Sequence, residues 1–163
     1  VIARRHILGV AAAFLFCACD GETTPPGEGE GEGEPAFPAD YASTYTEVRD
    51  CRQSGDHDLN IIRILADPDA LAPYRDRAAP FPEGAVVLKE EYEFDDMTCS
   101  GAIKQWTVMV RLADGEAPDT LDWSWQKVDA QRFVATENEP RCYGCHTDCT
   151  EDNEGYDHTC AVP

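Results

Sequence analysis

Near the end of the chain, Arg141-Cys142-Tyr143-Gly144-Cys145-His146 sets two cysteines three positions apart, with a histidine directly after the second. On one helical turn this spacing puts both thiols on one side with an imidazole beside them. That is the geometry for joining two sulfurs to the vinyl groups of a haem while the histidine takes an axial position on the iron. Cys142 and Cys145 are therefore candidate attachment residues for one covalent haem c, and His146 is the candidate metal ligand. Two other readings use the same residues. Cys142, Cys145, Cys149 and Cys160 could form a tetrahedral zinc set, or all four could pair as disulfides in a surface domain without catalysis.

The start of the chain bears on that choice. Arg4, Arg5 and His6 precede a ten-residue apolar run, Ile7 to Phe16, which suits the core of an export signal and is too short to span a bilayer. Phe16-Cys17-Ala18-Cys19 is similar to a lipobox with Cys19 as the lipidated residue, so residues 1–19 read as signal peptide and lipobox. Residues 20–35 carry four consecutive Gly-Glu pairs, with nothing apolar to bury and repeated like charge, and read as a disordered tether. The expected location is the periplasm or outer envelope of a bacterium, with a lipid anchor to the membrane. An oxidising compartment favours haem attachment and disulfides over zinc thiolates. The net charge of −19 makes nucleic acid a poor partner.

Residues 36–163 have the length of one domain with one core. Asp40 to Arg52 reads as a helix, with Tyr41, Tyr45 and Val48 at helical spacing, and Asp69 to Ala78 as a second, short one. Pro80 to Gly84 forces a turn. Three alternating stretches follow. Ala85 to Phe94 sets Val86, Leu88, Tyr92 and Phe94 on one face, and Val87, Lys89, Glu91 and Glu93 on a face that looks half solvated. Ile103 to Leu112 sets Trp106, Val108, Val110 and Leu112 against Thr107, Met109 and Arg111, and Leu121, Trp123 and Trp125 share a third face. The fold class is α+β: mainly an antiparallel β-sheet in meander order, with flanking helices and a C-terminal haem-attachment helix. Cys51, Cys99, Cys149 and Cys160 are an even number outside the motif and the leader. The favoured pairing is Cys149 with Cys160, a short loop, and Cys51 with Cys99.

The succession Phe81 to Glu90, Trp106 to Arg111, Trp123-Ser124-Trp125 and Cys142 to His146 resembles the cytochrome P-460 family over about residues 71–146. The resemblance implies a mostly β haemoprotein, often a homodimer, with five-coordinate haem. One branch oxidises hydroxylamine and carries a lysine bound covalently to the haem ring; the sister branch, cytochrome c-prime-beta, lacks the cross-link and binds nitric oxide or related gases. Cys142, Cys145 and His146 match the attachment residues and proximal ligand, and Lys89 matches the cross-linking lysine. A lysine on that strand otherwise simply faces water. The hydroxylamine branch also resembles systems with a distal carboxylate on the strand Trp106 to Arg111, which here has neither Asp nor Glu.

The expectation is an exported monohaem protein that binds or converts nitric oxide or hydroxylamine at an open distal site. The alternative is a periplasmic electron-transfer cytochrome with a redox partner, its haem closed by Met97 or Met109. Met109 within a strand suits a core position better. His57 and His158 sit beside aspartates in polar loops and read as solvated.

Overall fold

The computed structural model describes residues 33–161. Residues 1–19, read above as signal peptide and lipobox with Cys19, and most of the Gly-Glu stretch lie outside the described residues. Six strands, β1 (Thr46–Gln53), β2 (Ile61–Ala66), β3 (Val86–Tyr92), β4 (Gln105–Arg111), β5 (Trp123–Asp129) and β6 (Val134–Glu137), form one sheet in chain order, each antiparallel to the next. One turn of helix, α1 (Tyr41–Thr44), precedes β1; α2 (Pro68–Asp76) joins β2 to β3; and α3 (Pro140–His146) follows β6. Among the described residues no helix is long and apolar enough to cross a membrane.

Strand alternation gives the sheet two covered faces. One carries Ile62 and Ile64 of β2, Val87 of β3, Met109 of β4 and Trp123 and Trp125 of β5, packed under Ala70 and Tyr74 of α2 and under Phe81 and Tyr156. The other carries Leu65, Val86, Leu88, Trp106, Val108, Val128 and Val134, closed by Phe37 and Tyr41 of the N-terminal segment. A sheet covered on both sides can bury consecutive residues, which is why β2 and β3 are buried along nearly their whole length rather than at alternate positions.

Local chemistry sets the helix ends. Asp67 caps α2 by accepting from the Ala70 amide at 2.7 Å, Pro68 opens it, and Arg77 closes it in the left-handed region at φ 51°. Cys51 and Cys99 form a disulfide that ties β1 to the β3–β4 loop, and Cys149 and Cys160 form a second that closes the C-terminal loop.

Three expectations are corrected. Asp40 to Arg52 is one helical turn followed by edge strand β1: Thr44, Thr46 and Val48 are β-branched, and pairing with β2 supplies backbone partners that a helix would otherwise provide. The face of Lys89 and Glu91 is not solvated, because α2, α3 and the β1–β2 loop cover it; the Glu91 side chain is 1 % exposed. Phe94 lies beyond the end of β3 and is 67 % exposed.

Candidate functional site: a cavity under the last helix

A cavity of about 370 Å³ lies between the α2-side face of the sheet, the β1–β2 loop and α3. That is within the range of cofactor sites, about 300–1,000 Å³. Its apolar wall includes Ile62, Ile64, Val87, Met109 and Trp125. Register places Lys89 directly between Ile64 and Thr107, and Met109 directly between Val87 and Trp125, so the floor is built from cross-strand neighbours.

Helix α3 starts at Pro140 and delivers Cys142, Cys145 and His146 to this cavity. Both cysteines are free thiols, Cys142 half-buried and Cys145 exposed. The His146 ring meets Trp125 edge-on, with centroids 4.7 Å apart. Its Nδ1 lies 2.6 Å from the His158 carbonyl oxygen, so Nδ1 carries the hydrogen and donates it, leaving the Nε2 lone pair available to coordinate a metal. Burial first, and then the nearby Lys89 charge, pull the His146 pKa down to about 4, which keeps the ring neutral as ligation requires.

His158 is held in turn. Its amide donates to the Cys149 carbonyl at 3.0 Å and its Nδ1 lies 3.2 Å from the His146 carbonyl, within the loop that the Cys149–Cys160 disulfide closes. Arg77 at the end of α2 donates to the carbonyls of Glu154 and Ala161 at 3.0 and 3.1 Å. Gly155 has to be glycine for a steric reason, since an added Cβ would overlap the Cys149 backbone.

The polar end of the cavity holds a second constellation. Lys89 Nζ lies 2.6 Å from His57 Nε2, and His57 Nδ1 lies 3.1 Å from Glu91 Oε1. Glu91 also accepts from Asn60 Nδ2 at 2.8 Å, Gln105 Nε2 at 2.6 Å and Thr107 Oγ1 at 3.1 Å. Burial alone would raise the Glu91 carboxyl, but the hydrogen bonds from His57 and Gln105 and the His57 charge hold it down at about 2. Burial lowers the Lys89 ammonium to about 8, against the opposing pull of Glu91. Arg141 of α3 reaches Asp58 of the β1–β2 loop at 3.2 Å across the rim.

The structure thus brings Cys142, Cys145, His146 and Lys89 to one cavity and lines it with Met109; Met97 is 63 % exposed and lies off it. His57 is not a solvated loop residue, because its imidazole packs into the cavity between Lys89 and Glu91. His158 contributes through its carbonyl to His146. His57 and Glu91 are the site residues that sequence reasoning missed. Glu91 was findable, as it is two residues from Lys89 and so on the same face.

The donor set fits a haem better than zinc. His146, Cys149 and Cys160 place their ligand atoms within 4.8 Å of one another, but Cys149 and Cys160 are spent in a disulfide and offer no thiolates. Cys142 and Cys145 remain reduced beside an imidazole whose Nε2 is free. A comparison with curated proteins finds no match. A family model, Cytochrome P460, matches residues 38–156, a span that takes in all six strands, Lys89, His57, Glu91 and the whole motif from Cys142 to His146. The chain belongs to the cytochrome P460 family.

Proposed function

We propose that the protein is an exported c-type cytochrome with one haem, joined through Cys142 and Cys145 and ligated by His146, that binds or converts a small nitrogen-oxide species such as nitric oxide or hydroxylamine. The observation that carries this reading is the convergence on one cavity of two free thiols and an imidazole whose Nδ1 hydrogen is already committed to the His158 carbonyl. When bound, the haem supplies an iron centre for ligand binding and electron transfer. The chain's own residues do the rest. Trp125, Met109, Ile62 and Ile64 give an apolar wall, while His158 fixes the ring of His146. Membership of the cytochrome P460 family supports the haem.

An electron-transfer cytochrome is the second reading, and the position of Met109 in the cavity floor is what favours it. Absorption spectra of protein matured with haem, before and after nitric oxide, separate the two. A ferrous spectrum that shifts on adding nitric oxide is expected, and a sharp low-spin spectrum indifferent to it overturns the open-site reading. A strong red shift would be the sign of a Lys89 cross-link. Export and anchoring rest on residues 1–19: palmitate labelling should depend on Cys19, and an unlabelled chain would mean an unanchored protein.

A further inference from the structure

Lys89 and Glu91 share one face of β3, so a purely structural ion pair would join them directly. Instead the Lys89 amine bonds to an imidazole, and the imidazole bonds to the carboxylate. We propose that Lys89, His57 and Glu91 form a proton relay for the cavity, with Lys89 Nζ as the acid–base group facing a protic ligand, His57 as its proton partner and Glu91 as the fixed counter-charge.

The hydrogen-bond directions carry this. Asn60 receives Lys104 Nζ on its Oδ1 at 3.2 Å, so its amide hydrogens point to Glu91. Gln105 and Thr107 donate to the same carboxylate, which leaves Glu91 an acceptor on every side. The His57 nitrogen facing it, Nδ1, therefore bears a hydrogen, and Nε2 turns its lone pair to Lys89. Moving one proton from Nζ to Nε2 makes an imidazolium already paired with Glu91. The cluster holds one positive and one negative charge before and after, so the shift avoids the cost of stranding a buried charge. It leaves a lone pair on Nζ, on a wall of the cavity.

The cycle balances. A ligand N–H or O–H gives its proton to the Nζ lone pair; the imidazolium of His57, whose side chain is 24 % exposed, releases one proton to water; the remaining proton is again shared between Nζ and Nε2. The ligand has lost one proton to solvent, and both side chains are restored. Other charges face the relay. Asp56 and Asp58 come from the β1–β2 loop, Lys127 from β5, Glu139 from the N-cap of α3 and Arg141 from α3 itself. Arg141 offsets Asp58. Such a relay suits a ligand with protons to lose, hydroxylamine rather than nitric oxide. The relay stands on this chain's own geometry; that its ligand is held on a haem rests on the function proposed above.

Competitive labelling of the haem-loaded full chain with cyanate across pH, read by peptide mass spectrometry, tests it with Lys104 and Lys127 as internal references. Lys89 is expected to react about tenfold faster than either at pH 7, and His57→Gln, which keeps an acceptor that cannot hold the proton, should remove most of that advantage. An unchanged profile in His57→Gln, or a Lys89 recovered unlabelled, overturns the relay. Nitrogen NMR of His57 in the wild type, taken as the diamagnetic ferrous carbon monoxide adduct, needs no variant: a hydrogen on Nδ1 at all pH values is expected, and one on Nε2 with the lone pair on Nδ1 overturns it. A chain found without haem c would sink the function proposed above, while labelling and tautomer would still decide the relay.

Discussion

Glu90 and Glu91 are neighbours in the chain, both are 1 % exposed, and the alternation of β3 sends them to opposite faces of the sheet. Glu90 is satisfied by Tyr41 Oη, Tyr92 Oη and Arg63 Nε, each at 2.7 Å. Burial, and then the bond to Glu90, push the Tyr41 phenol up to about 12, so it stays a donor. Glu91 faces the cavity and titrates far below its ordinary 4.5, at about 2. Its folded-state pKa is the depressed one, so its contribution is complete above pH 4.5 and is lost as pH falls toward 2. Urea unfolding across that window should show wild type losing on the order of 2–3 kcal/mol that Glu91→Gln does not lose. Parallel slopes for the two proteins would mean that Glu91 is not the titrating group.

At the scale of elements, the C-terminal loop is a clamp on α3. The Cys149–Cys160 disulfide, Gly155 and the anchoring of Ala161 and Glu154 by Arg77 all serve to keep the His158 carbonyl on His146 Nδ1. Replacing Cys149 and Cys160 together by serine should cost about 2–3 kcal/mol in thermal unfolding and, in the haem-loaded protein proposed above, alter the absorption bands that would report His146 ligation. An altered melting temperature with unchanged bands would assign the disulfide to stability alone. How much of this was legible depends on how local each signal is. The segment Cys142 to His146 and the alternation of β4 and β5 are written in contiguous residues, and the structure shows a helix in the first and strands in the others. Tyr41, Tyr45 and Val48 fit a helical period by accident of spacing, and only the pairing with Ile61 to Ala66 makes Thr46 to Gln53 a strand. The role of His57 was illegible for the same reason: it depends on where a loop lands over the far end of β3 and β4, and no spacing within residues 54–60 encodes that.

At the scale of the whole molecule, every strand among the described residues pairs with its neighbour in sequence, and the two larger core clusters lie on either side of one sheet. Connections of this kind close short loops, and each hairpin can zip onto the one before it. The first disulfide lies wholly within residues 51–99, whereas the second joins residues 149 and 160, close to the C-terminal end of the described residues. A chain emerging from its N-terminus would therefore lay down the cavity floor, from Ile62 to Trp125, before α3 had been made. The cysteines and the imidazole arrive last, beside a surface that is already in place.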